Sequence, residues 1–204
     1  NPGNNGVSAV TPNNRRNDRG NCQGIDQRHI FNLSAVLQAP KLSKGILGVL
    51  ASNWQLSPIV RIRSSNFTTV VSGTDRALNG EGGQRGDLVA GIDPYVKTDN
   101  TSCSPAPCFK WLNPAAFAIP ALGTIGNLGQ YNIRGPGTVQ VDFAVTRTFD
   151  IHEKQTLQLR GEAFNAPNRV NLSLPTAGLN SGSFGQILGA GDPRIMQVAL
   201  KYVF

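Results

Sequence analysis

The chain has 204 residues, 39% of them hydrophobic and 15% charged, with 23 Gly, 13 Pro and a single Met. This texture favours strands and long loops over helices, and the longest apolar run, "GILGVLA" from Gly45, falls well short of the roughly 18 apolar residues that a membrane-spanning helix requires. Lys and Arg number 19 against 12 Asp and Glu, giving +7, but apart from "NRRNDR" the basic residues are scattered and no recognition motif accompanies them, so nucleic acid is not expected as a partner.

Residues 1–25 are expected to form a flexible or extended amino-terminal segment, and residues 26–204 one antiparallel β domain. The opening "NPGNNGVSAV" lacks the charged, apolar and small-residue order of a signal peptide, so the chain reads as a mature segment. The first alternating run is "RHIFNLSAVLQ", where Phe31, Leu33, Ala35 and Leu37 oppose Asn32, Ser34 and Gln38. Next comes "NWQLSPIVRIRSS", with Trp54, Leu56, Val60 and Ile62 opposite Gln55, Ser57, Arg61 and Arg63. A sixth candidate strand, "FTTVVSG", starts at Phe67 and leads into a long loop at about 66–138.

In "VQVDFAVTRTF", Val139, Val141, Phe143, Val145 and Phe149 oppose Gln140, Asp142, Thr146 and Thr148. "TLQLRGEAF" sets Leu157, Leu159 and Ala163 against Thr156, Gln158, Arg160 and Glu162. The chain closes on "QVALKYVF", where Met196, Val198, Leu200, Tyr202 and Phe204 oppose Gln197, Ala199 and Lys201. This periodicity predicts that Phe143, Leu157, Leu159 and Val198 share one apolar face, with Asp142, Gln158 and Gln197 on the other. Each run is about ten residues long, the length of a tilted strand crossing a bilayer.

A soluble sandwich would also alternate, and the connectors separate the two readings. Reversing direction at each strand puts "DIHEK" and the connector near 39–53 on the side of Phe204, and the two long connectors, about 66–138 and 166–193, on the opposite side. Short turns on one rim and long loops on the other mark an outer-membrane barrel. Trp54 and Phe149, like Tyr202 and Phe204, fall at strand ends beside the short turns, where an interfacial aromatic girdle sits. Five or six strands are fewer than the roughly eight of the smallest membrane barrels. The expected fold is therefore all-β, an antiparallel up-and-down sheet that belongs to a larger barrel or is completed by neighbouring chains.

Cys103 and Cys108 flank "SPAP", a spacing that suits a small disulfide-closed loop in an oxidising compartment. Free thiols or a metal site are the alternatives; zinc would need further ligands, and His29 and His152 lie far apart in sequence. Cys22 is left as the odd thiol. No HExxH, GxSxG or Walker loop is present, and "GQILGAGD" lacks the strand-then-helix context of a phosphate loop. The polar-face charges Arg61, Asp142, Arg160 and Glu162 are expected to pair across strands rather than act as acid and base. An enzyme is not expected, and no catalytic residue, cofactor or metal is assigned.

The order "DQRHIFNLSAVL", "WQLSPIVRIRS", "WLNPAAFAIPALGTIGNLGQYNIRGPG", "VDFAVTRTF", "LQLRGEAFNAPNRVN" and "FGQILGAGDPRIMQVALKYVF" resembles the carboxyl-terminal part of the Oar-like TonB-dependent receptors of acidobacterial type, which carry a carboxypeptidase-regulatory-like domain. The resemblance runs from about Asp26 onward. It implies the last quarter or so of a barrel of about 22 strands that takes up a large solute, placed in the bacterial outer membrane with its long loops extracellular. The ending resembles the signal read by the barrel-assembly machinery, carried here by Gln197, Ala199, Tyr202 and Phe204, with Ala in place of the more usual Gly. The family's plug and TonB-contacting box have no counterpart in these residues, so energised transport is implied for a parent protein. A solute site is implied in the loop from Asn66 to Gly137, where Trp111 and Tyr131 are equal candidates for contact.

A second reading is a processed fragment serving as a structural subunit, which builds an extracellular filament or homo-polymer by strand complementation. The partners expected are accordingly outer-membrane lipid or neighbouring copies of the chain, with the assembly machinery during biogenesis.

Overall fold

The computed structural model describes residues 15–22, 24–40, 45, 51–80, 82–100, 108–152 and 155–204. Thirteen strands are described: β1 (Ile30–Ser34), β2 (Leu37–Gln38), β3 (Trp54–Arg63), β4 (Phe67–Thr68), β5 (Asp87–Leu88), β6 (Tyr95–Asn100), β7 (Cys108–Leu112), β8 (Phe117–Ala118), β9 (Ile133–Arg134), β10 (Thr138–His152), β11 (Gln155–Phe164), β12 (Gln186–Ile187) and β13 (Ile195–Val203). They belong to two compact units, one of residues 29–63, 138–171 and 191–204, the other of residues 1–28, 64–137 and 172–190.

The first unit is the sheet that the alternating runs predict. Its antiparallel order is β1-β3-β10-β11-β13, with β2 also paired to β3. Cross-strand partners share a face, so the register identifies each side. Phe149 faces Leu157 and Leu157 faces Tyr202; Phe143 faces Ala163; Leu159 faces Leu200; Val198 faces Gly161. Val60 and Ile62 continue the same face opposite Val141 and Val139, and beyond them lie Leu33 and Phe31. Asp142, Gln158 and Gln197 lie on the other face, as the period of two requires.

The apolar face is open to its surroundings: Met196 is 72% exposed, Val198 78% and Leu200 67%. A sandwich would bury these side chains against a second sheet. Here both faces of β13 are exposed along its whole length. An apolar patch of this extent on one side and a polar one on the other suits a wall between lipid and water.

One proline shapes the edge of this sheet. Ala35 donates its N–H to the carbonyl of Pro58 at 3.2 Å, so the backbone of Pro58 points toward β1. Proline has no N–H to return, and the ladder lapses between β1 and β2 although their registers against β3 agree. The strands are also staggered: β3 pairs with Thr138 to Arg147 of β10, whereas β11 pairs with Phe143 to His152. Progressive stagger of this kind accompanies strand tilt in a barrel.

Arg63 pairs with Thr138, and Phe164 pairs with Ile195. Residues 64–137 and 165–194 are thus insertions into hairpins at one rim, while the other rim carries the β10 to β11 turn and the connection from Gln38 to Trp54.

The second unit is built from four short ladders. β12-β7-β6 is three-stranded, and β4-β9 and β5-β8 are pairs, so "FTTVVSG" supplies β4 here rather than a further strand of the large sheet. Its core is Val70, Leu112, Ala116, Phe117, Leu128 and Ile133, with Tyr95, Trp111, Leu179 and Phe184 packed against it. The rings of Phe117 and Phe184 meet edge to face at 5.5 Å. Side chains replace ladders where the chain turns. Buried Gln84 accepts from the N–H groups of Arg76 and Ala77 and donates to Asp75 and Asn79. Gly126 lets two segments touch, since a Cβ there would stand 2.2 Å from the Arg85 carbonyl oxygen.

Candidate functional site

In the second unit, distant parts of the sequence form a row of cations and rings. β4 and β9 pair Phe67 with Arg134, which brings the Arg134 guanidinium to 5.3 Å from the Phe67 ring centre. Arg28 lies 5.6 Å from the same ring. Phe67 itself is buried, so the ring is a fixed support while Arg28 and Arg134 are exposed.

Arg134 is held through its backbone. Its N–H donates to the Tyr95 hydroxyl at 2.9 Å, and its carbonyl accepts from Trp111 Nε1 at 2.7 Å. Tyr95 and Trp111 come from the adjoining strands β6 and β7, whose register shifts between Tyr95 and Thr98. Lys97 sits in that irregularity with φ +53°, and its ammonium lies 4.7 Å from the Tyr95 ring and 5.5 Å from Trp111. A bulge re-aims a side chain, and here it turns Lys97 onto both rings. Phe109 extends the row, its ring centre 6.0 Å from Trp111.

Among the described residues none of Arg28, Lys97 and Arg134 is in an ion pair. Each exposed cation resting on a ring gains only about 0.5–1 kcal/mol from that contact. Three unneutralised cations held at set places over aromatic supports present a surface for anionic groups, with rings available for stacking. Lys110 and Leu112 alternate with Phe109 and Trp111 along β7 and line a separate cleft of about 680 Å³ together with Phe117, Leu179 and Phe184.

The polar face of the large sheet is neutralised differently. Arg61 and Asp142 meet at 2.6 Å, Arg160 pairs with Glu162, and Gln197 hydrogen-bonds Glu162. Arg61 and Asp142 pair across strands, as expected, whereas Arg160 and Glu162 pair along one strand, β11, rather than across two. Among the described residues no three His, Cys, Asp or Glu side chains converge.

The model of the outer membrane beta barrel domain family matches residues 1–197. The chain belongs to that family. No curated protein and no solved structure matches it. As a member of an outer-membrane barrel family it resides in the bacterial outer membrane, and its exposed apolar face is the one suited to lipid.

The remaining residues singled out from sequence take their places on this barrel chain. Gln197 and Ala199 lie on the polar side of β13; Tyr202 faces Leu157 on the apolar side, its ring 6.1 Å from that of Phe204. Trp54 opens β3 and Phe149 lies near the end of β10, on the same side and at the same rim. Cys103 lies outside the described residues, and with it the Cys103–Cys108 pairing; Cys108 opens β7, and Cys22 is an exposed free thiol.

Trp111 and Tyr131, equal in the sequence, differ in the fold. Trp111 belongs to the cation and ring row. Tyr131 serves the backbone: its N–H donates to Thr69 Oγ1 at 2.7 Å, and its carbonyl accepts from Asn21. Arg28, Phe67, Lys97 and Arg134 were not legible as a site, because a two-residue ladder joins Phe67 to Arg134, a register shift turns Lys97 and Arg28 lies outside any strand, none of which leaves a periodic signature. Arg147 is a different omission: it stands in phase with Val145 and Phe149, on the apolar side.

Proposed function

We propose that this chain is the carboxyl-terminal portion of a TonB-dependent, Oar-like receptor barrel that takes up a large anionic solute, captured by the second unit on the extracellular side. The observation that carries this reading is the row of Arg28, Lys97 and Arg134 over Phe67, Tyr95 and Trp111. The unit bearing it is inserted into hairpins at the rim opposite the short turns, which in barrels of this type is the outer rim. Charged groups at such a surface concentrate an oppositely charged solute, and loops on a rigid scaffold are where recognition resides. The reading is of a non-enzyme without a cofactor, whose work is binding and passage.

The test is binding of labelled anionic and neutral oligosaccharides of equal length to the native receptor, before and after Arg28→Gln, Lys97→Gln and Arg134→Gln together. The reading predicts a preference for the anionic chain that declines with salt and an affinity loss of about 10- to 100-fold in the triple variant. Equal binding of the neutral chain would contradict it.

The open edges of the sheet favour a second reading, self-assembly into a filament. β1 and β13 are the ends of the strand order, and each has a ladder partner on one side only among the described residues. Such edges accept strands from neighbouring copies. Detergent-free polymers of uniform width would favour this reading, and particles that disperse only in detergent would favour the receptor.

A further inference from the structure

The cleft of about 680 Å³ in the second unit is not used by the cation and ring row. Lys110 and Leu112 line it from one face of β7, two places apart on the middle strand of the ladder β12-β7-β6, so their backbone is paired on both sides. Leu112 and Phe117 are buried in the core of the unit, and Leu179 and Phe184 pack against that core. The apolar walls are therefore in place before anything enters. Exposed Val96 and Ile119 also line the cleft, which opens it to the surroundings.

Its polar side chains are of two kinds. Asn113 donates to the Asp93 carbonyl and accepts from the Ala115 N–H, and the hydroxyls of Ser181 and Ser183 bond each other. Lys110, by contrast, is exposed and among the described residues is in no ion pair. A lysine lays its four-carbon stem along apolar surface and carries three donors at the tip. One cation beside an apolar hollow of this size matches a small molecule with one acid group: the acid gains charge-assisted hydrogen bonds, and the apolar body leaves water. A solute with many charges would press most of them against hydrocarbon, at a cost.

We propose that this cleft binds a small apolar carboxylic acid, its carboxylate on Lys110 and its body against Leu112, Phe117, Leu179 and Phe184. The site shares no residue with the row of Arg28, Lys97 and Arg134, so it does not rest on the reading of that row.

The experiment is photolabelling of the whole protein in lipid nanodiscs with 4-benzoylbenzoate, an apolar acid whose excited ketone inserts into nearby C–H bonds, and with 4-benzoylbenzyl alcohol, its neutral counterpart. Labelled residues are located by mass spectrometry. The acid should label residues 112–119 and 179–184, at about one tenth of the concentration that the alcohol requires. That comparison uses the unaltered protein and depends on no variant folding. Lys110→Gln should raise the acid's half-labelling concentration about tenfold and leave that of the alcohol unchanged. Gly182 lines the cleft, and a Cβ there meets no atom within 4 Å, so Gly182→Trp should fill the space and abolish labelling by both probes. Equal labelling by acid and alcohol, an unchanged acid response in Lys110→Gln, labelling that persists in Gly182→Trp, or labels confined to other residues, Trp111 included, would each overturn the proposal.

Discussion

Asp142 on β10 and Arg61 on β3 bind each other at 2.6 Å on the polar face of the sheet, diagonally across the ladder. Asp142 is buried and also accepts from the Asn165 backbone N–H at 2.9 Å and from Gln140. The carboxylate thus ties two strands to the turn after β11, whereas the Arg61 side chain remains 42% exposed. Removing Asp142 strands several donors; removing Arg61 leaves the carboxylate its other partners.

Asp142→Ala should therefore destabilise the folded protein by about 1.5–3 kcal/mol, and Arg61→Ala by less than about 1 kcal/mol. Guanidinium-induced unfolding of both single variants and the double variant in lipid vesicles checks this. Equal losses from the two single variants would show that the ion pair, rather than the Asn165 bond, dominates.

Charge placed on the two faces should act very differently. Val198→Arg sits opposite Gly161 amid the residues of the apolar face and should cost about 2–4 kcal/mol of insertion stability, while Gln158→Arg on the polar face should stay within about 0.5 kcal/mol. Comparing the two unfolding midpoints in the same vesicles decides the matter. Similar penalties would mean that the faces do not meet different solvents.

The large sheet was legible because β3, β10, β11 and β13 alternate over nine or more residues, long enough for a period of two to emerge from Trp54 to Arg63 or from Gln155 to Phe164. The second unit was not. Phe67–Thr68 and Ile133–Arg134 are two-residue strands, too short for any period, and they pair across a long stretch of chain. The turn around Asp75 follows from Gln84 bonding to backbone, which composition does not announce. Arg147 was readable in principle, since its parity with Val145 and Phe149 puts it on the apolar side; the apolar pattern around it drew the eye away.

Gln84 provides a local test of the second unit. Its side chain makes four hydrogen bonds into the segment from Asp75 to Asn79. At about 1 kcal/mol net for each bond, Gln84→Ala should speed hydrogen exchange at the Arg76 and Ala77 amides by about tenfold or more, with β10 and β11 unaffected. Unchanged exchange at both amides would show that the turn is held by other contacts.

Asp75 adds a pH dependence to the same turn. The Gly80 N–H, bonded to the carboxylate at 2.8 Å, holds its pKa below the ordinary aspartate value; loss of water opposes this, and bonds from Asn79 and Gln84 reinforce it. Since the folded pKa is the lower one, the contribution is fully present above the unfolded value of about 3.9 and is lost as pH falls through the folded pKa. Protection of the Asn79 and Gly80 amides should therefore be constant between about pH 5 and 7 and fall below about pH 4, and Asp75→Asn should flatten that profile. Protection that declines equally in the variant would assign the acid sensitivity to another group.

Nitroxide accessibility along β11 tests most directly whether this sheet is a wall between lipid and water. Single labels at 157, 158, 159 and 160, introduced after Cys22, Cys103 and Cys108 are changed to Ser, would be read in vesicles by collision with oxygen and with a water-soluble nickel chelate. Labels replacing Leu157 and Leu159 should favour oxygen and those replacing Gln158 and Arg160 the chelate, alternating residue by residue. The same preference at all four positions would contradict the placement of these two faces.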